Sequence, residues 1–205
     1  MTRKLYPYDL QVQSHYSDGD DTPAQIARKA RALGIKGLAI TDHNTTEGIS
    51  KSVRALHSNG LIAVEGIELS CGYAGEEIHL LGYATKFDPA PLEDFTKSIR
   101  NWYKNRATFL IARAKEKGYL IESYDQLLKK RRGHGPIILN YDIARRLVYK
   151  NQLPLSVARE NIRAWLAGVP ANLSRKHLPH PKAAIRAIHQ AGGLAILAHP
   201  GRSYT

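Results

Sequence analysis

Five short stretches place imidazoles and carboxylates where they could hold a metal ion. DLQVQSHYSDG at 9–19 sets Gln11, Gln13 and His15 on one face of a strand and Leu10 and Val12 on the other, then turns at Ser17, Asp18 and Gly19. Asp42 and His43 follow a short apolar run, Glu68 stands near the end of GIEL, His79 lies within IHLLGYA, and His199 follows LAILA. A lone histidine at a strand end is usually a hydrogen-bonded structural residue, and each of these taken singly carries that reading. Their joint occurrence at equivalent points is harder to dismiss. Imidazoles and carboxylates converging from different strands make a mixed nitrogen and oxygen site suited to zinc, manganese or iron, and a carboxylate can bridge two ions. Paired ions generate hydroxide and neutralise a phosphoryl group, which is the logic of metal phosphoesterases.

Other chemistries find no support. There is no phosphate loop, dinucleotide glycine fingerprint, nucleophile-elbow serine or zinc-protease helix motif. The single cysteine, Cys71, excludes an intrachain disulfide and a thiolate metal cage, so any metal must be held by His, Asp and Glu. His57, His177, His180 and His189 have no partner at telling spacing, and Gly133, Gly135 and Pro136 around His134 read as a turn.

These residues need elements that bring them together. Thr22, Pro23 and Gln25 start a helix of the capping-box type, carried by Ile26, Ala27, Ala30 and Leu33 and stopped at Gly34. GLAI at 37–40 reads as a buried strand, a second helix fits about 45–60, IAV at 62–64 and GIEL at 66–69 read as strands, and a turn leads into a strand at 78–84. This alternation predicts a largely parallel sheet or barrel, in which chemistry collects beyond the C-terminal strand ends. From Pro91 the pattern becomes helical, to a stop at Gly118 and then over 124–131, 141–150 and 156–167. Pro181 opens a helix ending at Gly192 and Gly193, and LAILA at 194–198 reads as a buried strand. The expected organisation is 1–87 as the first part of an α/β barrel, 88–180 as an inserted helical subdomain, and 181–205 as the barrel continued and C-terminally incomplete.

Charge follows the same division. Of a formal +12 over 205 residues, 1–87 contributes −1 and 88–182 contributes +11. KKRR at 129–132, Arg145 with Arg146, Arg175 with Lys176, and interleaved Trp102, Tyr103, Tyr141 and Trp165 point to an anionic partner. No apolar run reaches the roughly 18 to 20 residues of a membrane span, and the basic start lacks a secretory apolar stretch, so a soluble, cytoplasmic protein with no membrane partner is expected.

Together, DLQVQSHYSDG, ITDHNTTEG, GIELS, IHLLGYA and LAHPGR resemble, in order and spacing, the motifs of the polymerase and histidinol phosphatase (PHP) family. The resemblance implies a distorted (β/α)7 barrel holding up to three divalent ions (manganese, iron, zinc or magnesium). A helical insertion between HLLGY and AHP resembles the branch of nucleoside bisphosphate and AMP phosphatases, as do Asn105 with Arg106, NYDIARRLV and GVPANL. Asn140 and Asp142 depart from that branch, which usually has arginine and histidine there. Gln11 and Gln13 stand where the family has two metal-binding histidines; a neutral amide oxygen holds a transition metal less firmly than imidazole, so fewer than three ions are expected. By resemblance, Glu68, His79 and His199 match one metal site and Asp18 and His43 part of another, while the family's late Asp-x-His pair has no counterpart before the chain ends. Glu68 and Asp18 are the implied catalytic carboxylates, and Arg106, Arg175 and Asp18 the implied substrate contacts.

The expected function is hydrolysis of a phosphate from a nucleotide or short oligonucleotide by metal-bound hydroxide. The rival is a catalytically degenerate domain that binds nucleotide or nucleic acid.

Overall fold

The protein is described by a computed structural model over residues 6–130, 135 and 137–201. Arg131, Arg132 and the turn around His134 lie outside the described residues. Strand β1 (Tyr8–Val12) leads to helix α1 (Pro23–Ala32), β2 (Gly37–Ile40), α2 (Ile49–His57), β3 (Ile62–Tyr73) and β4 (Glu76–Ala84). Four helices follow: α3 (Pro89–Glu116), α4 (Tyr124–Lys130), α5 (Asn140–Asn151) and α6 (Leu155–Ala167). Two short 3-10 turns precede α7 (Pro181–Gln190) and β5 (Leu194–Leu197).

Local chemistry accounts for the element boundaries. Thr22 and Gln25 exchange the two hydrogen bonds of a capping box, with Pro23 inside the first turn of α1. The second helix starts at Ile49, later than expected, because His43 and Asn44 continue to pair with β3: the Asn44 amide donates to the Glu68 carbonyl at 2.9 Å before the chain turns at Asn44, φ 54°. IAV and GIEL form one continuous strand of 12 residues rather than two.

The five strands form one sheet in the order β1-β2-β3-β4-β5. It is mixed, not largely parallel: β1, β2 and β3 run parallel, whereas β3 with β4 and β4 with β5 are antiparallel. The reason lies at the β3–β4 connection, where Ala74 and Gly75 both have positive φ (50° and 86°), the geometry of a tight hairpin that reverses the chain. The sheet is not closed into a barrel, which makes the fold an incomplete, distorted relative of the (β/α)7 arrangement with added helices. It curls, however, and the Tyr83 hydroxyl on β4 donates to the Leu10 carbonyl on β1 at 2.7 Å. β5 is at the edge with a partner on one side only, so Leu194 is 71% exposed, correcting the expectation of a buried strand there.

Helices α1 and α2 cover β2 through Ile26, Ala27, Leu38 and Leu56, while α7 and the start of α3 cover β3 and β4 through Ile67, Leu69, Leu92 and Ile188. Helices α3 to α6 enclose a further core around Leu110, Ile143, Leu147 and Trp165. At about 1.5 Å per residue, α3 is on the order of 40 Å long and runs from one core into the other. No helix among the described residues is long and apolar enough to cross a membrane.

Candidate metal centre

Strand pairing brings the ligand-type residues to one place. Ser70 lies opposite His79 in the β3–β4 register, so Glu68, two residues away, is a diagonal neighbour of His79 on the same face. The bridge between His43 and Glu68 sets the first imidazole beside them. The Ala198 amide donates to the His79 carbonyl at 3.0 Å, which delivers His199 next in line. His199 has φ 33°, a conformation that non-glycine residues rarely hold and that packed structure must maintain.

Glu68 is the hub. It is 1% exposed; its Oε1 lies 2.9 Å from His79 Nδ1 and 3.4 Å from His199 Nε2, and its Oε2 lies 4.0 Å from His43 Nε2. Ligand atoms of His43, Glu68 and His79 all lie within 4.8 Å of one another. Burial alone would raise the Glu68 carboxyl, but the His79 hydrogen bond and the neighbouring imidazoles outweigh it and hold the group at about 2. His79 answers in kind: against burial, Glu68 and Glu77 raise it to about 9.

Gln11 and Gln13 face this hub. Their side-chain amides donate to Glu68 Oε2 at 3.0 and 2.7 Å. Two N–H donors thus occupy Oε2, the oxygen that faces away from His79. His15 packs edge-on against Tyr16 and is not part of the triad.

The donor set fits one ion. Two imidazoles and a carboxylate suit zinc, manganese or iron, with further positions left for water. Asp18 lines the same cavity, of about 180 Å³, as His43 and His79, and its buried Oδ1 has no protein hydrogen-bond partner. Such an acceptor calls for a cation or a hydroxyl donor. The loop carrying it folds tightly: a Cβ on Gly19 would stand 2.3 Å from the Gln13 carbonyl oxygen. Asp42 turns away from the site. It is buried and accepts from the Ser14 amide (2.7 Å), the Ser14 hydroxyl (2.6 Å) and the Ser17 hydroxyl (2.7 Å), so it fastens the loop.

Arg106 borders the cavity and is 4% exposed, stacked over Trp102 and donating to the Leu173 carbonyl at 3.2 Å, with its Nε unpartnered. Arg175 is engaged by Glu76 at 2.8 Å and reaches to 3.9 Å from Glu77.

Glu77 joins the site although no motif marks it. It approaches His79 Nε2 at 3.5 Å and accepts from the Tyr103 hydroxyl at 2.6 Å; despite burial, these contacts hold its carboxyl at about 2. The signal was present, since residues two apart on a strand share a face. Tyr103 also meets Ser70, which Asn44 holds from the loop after β2, so α3 is tied into the site by a chain of hydrogen bonds.

Known proteins share this framework. The chain is 29% identical over 202 residues to a 5'-3' exoribonuclease of Haemophilus influenzae, covering 98% of this chain and 70% of that protein. It is 30% identical over 197 residues to a 3',5'-nucleoside bisphosphate phosphatase of Chromobacterium violaceum, covering 95% and 67%. The chain therefore spans about two thirds of the length of these relatives. Among solved structures, a candidate metal-dependent phosphoesterase from Bifidobacterium adolescentis superposes with a TM-score of 0.80 at 25% identity, over 97% of this chain and 69% of that one. The family model described as the PHP domain matches residues 9–169, most of the chain. The chain belongs to the PHP domain family.

Proposed function

We propose that this chain is a phosphoesterase that uses one divalent ion and cuts a phosphate ester of a nucleotide or short oligonucleotide. The observation that carries the reading is the triad of His43, Glu68 and His79, whose two imidazoles line a cavity that a buried arginine also borders. The exoribonuclease and nucleotide phosphatase among its relatives support the choice of substrate.

A bound ion would supply Lewis-acid charge to the phosphoryl group and acidify a coordinated water. The protein supplies the rest. Glu68, ionised at neutral pH, and the imidazoles of His43 and His79 would hold the ion, with His199 packed against both Glu68 and His79. Arg106, which borders the cavity, offers a fixed positive charge to a phosphate there. Asp18 lines the same cavity, where its carboxylate would meet the ion or the substrate. Arg175, tied to Glu76 and near Glu77, steadies the wall from outside. The direct test measures metal content and nucleotide hydrolysis for the native chain and Glu68→Ala; hydrolysis unchanged in the variant would refute the proposal.

A second reading, a nucleotide-binding domain without catalysis, is favoured by the amides of Gln11 and Gln13 standing against Glu68. It predicts nucleotide or nucleic-acid binding that persists under chelation and falls steeply with salt.

A further inference from the structure

His79 presents its two ring nitrogens to different partners. Nδ1 faces the triad, 2.9 Å from Glu68 Oε1 and 3.3 Å from His199 Nε2, whereas Nε2 meets Glu77 Oε1 at 3.5 Å. An imidazole holds one ion through one nitrogen, and the hydrogen bond made by the other fixes which nitrogen that is and how the ring is turned. Glu77 is the group that meets the second nitrogen.

Glu77 is itself held in place. Tyr103 on α3 donates the single hydrogen of its hydroxyl to Glu77 Oε1 at 2.6 Å. The bonds behind Tyr103 all run the same way. Asn44 Oδ1 accepts from the Ser70 amide at 2.9 Å, which leaves Asn44 Nδ2 to donate to the Ser70 hydroxyl at 3.0 Å. The Ser70 hydroxyl lies 2.9 Å from the Tyr103 oxygen, and because the Tyr103 hydrogen is committed to Glu77, Ser70 is the donor in that contact. Asn44, Ser70 and Tyr103 thus form a line of donors that ends at Glu77 Oε1, and the acceptor at its end suits an N–H on His79 Nε2.

Packing fixes this line. Tyr103 is buried among Ile99, Trp102, Ile137 and Leu178. Gly72 lies opposite Glu77 in the β3–β4 register, and a Cβ there would stand 2.5 Å from the Arg175 carbonyl oxygen. The glycine therefore lets the turn at Arg175–His177 close over the sheet, with Arg175 Nε 3.9 Å from Glu77 Oε2.

We propose that Glu77 is a positioning residue: with the Tyr103 hydroxyl it turns the His79 ring so that Nδ1 is the ligating nitrogen and Nε2 keeps its hydrogen, and through Tyr103 the helix α3 sets how tightly the triad holds a divalent ion. The proposal rests on the metal-binding part of the reading above and adds two residues, neither of them a ligand, to those that determine metal affinity.

Zinc binding to the metal-free chain, measured by titration calorimetry, tests it together with nitrogen-15 magnetic resonance of the histidine rings in the zinc-loaded chain. We expect Glu77→Ala and Tyr103→Phe each to weaken zinc binding about tenfold or more. In the native chain the ring shifts should report His79 ligating through Nδ1 with a slowly exchanging hydrogen on Nε2, and that exchange should quicken in both variants. Ile111→Val, which loosens α3 in the helical core away from these bonds, should leave both readouts at their native values. Should Glu77→Ala fail to fold, Tyr103→Phe decides, since it keeps the ring and its packing and removes one hydroxyl. Zinc affinity of Tyr103→Phe within about twofold of native would overturn the proposal. So would His79 ligating through Nε2, or an equal loss in Ile111→Val, which would make the effect one of packing. Failure of the underlying reading looks different: Glu68→Ala would then bind zinc as the native chain does.

Discussion

The Gln13 side-chain amide donates to Glu68 Oε2 at 2.7 Å, on the side of the carboxylate opposite the His79 hydrogen bond to Oε1. Glu68 is therefore satisfied by neutral donors on one oxygen and imidazoles on the other. The arrangement keeps a buried carboxylate ionised beside one candidate metal position among the described residues.

Replacing both amides should reopen that side. Gln11→His with Gln13→His is predicted to raise the manganese or zinc retained per chain above the native value, read by elemental analysis after chelation and reloading. An unchanged metal content would show that the amides do not limit occupancy. Gln13→Leu, which leaves the buried carboxylate short of a donor, should cost about 1–3 kcal/mol in urea unfolding.

The Glu68–His79 pair sets a pH window for the metal-free chain. His79 is raised from 6.5 to about 9, so its contribution is complete below 6.5 and is lost as pH rises through 9. Glu68 is lowered from 4.5 to about 2, so its contribution is complete above 4.5 and is lost as pH falls through 2. These are two views of one interaction. Thermal melts should show a plateau between about pH 4.5 and 6.5 with decline on both sides, and His79→Gln should flatten the alkaline limb. Because the His79 imidazolium must lose its proton to bind a metal, affinity should climb between pH 6.5 and 9.

Asp42 is predicted to matter through folding. Asp42→Ala strands the Ser14 and Ser17 donors and should cost about 2–4 kcal/mol, with metal retention falling because the loop that carries Asp18 loses its anchor. Native-like stability in this variant would contradict the anchoring role.

Segment 88–180, which we propose as a structural unit of its own, is joined to the sheet through α3, which gives Leu92 to one core and Leu110 and Ala114 to the other. Leu147→Ala, deep in the helical core, should cost about 2–5 kcal/mol. Far-ultraviolet dichroism and tryptophan fluorescence should still report one shared transition. Two separated transitions would mean that the helices fold independently of the sheet.

Much of this was legible in the chain. The capping box at Thr22, the glycine stops at Gly34 and Gly118 and the helical stripes of 91–167 depend on neighbours within a few residues, and these elements formed close to where the pattern placed them. The motif order placed Asp18, His43, Glu68 and His199 at strand ends and His79 within a strand, and strand pairing brings His43, Glu68 and His79 within ligand distance of one another. What misled was direction and burial. Nothing within β3 or β4 alone states that they pair antiparallel, and the apolar run of β5 does not reveal that it lies at an edge.

The amino-acid sequence by itself determined the repertoire: which side chains could ligate, the family they belong to, and the glutamines at positions 11 and 13. Tertiary structure decided their partnerships. It grouped His43 with Glu68 and His79, aimed the glutamine amides at Glu68, turned Asp42 into a loop anchor and brought in Glu77 and Tyr103. The physical reason is that side-chain identity and short-range periodicity are local properties. The direction in which a hydrogen bond or ligand atom points is set by register between strands far apart in the chain, and a shift of one residue would send each of these groups to the opposite face.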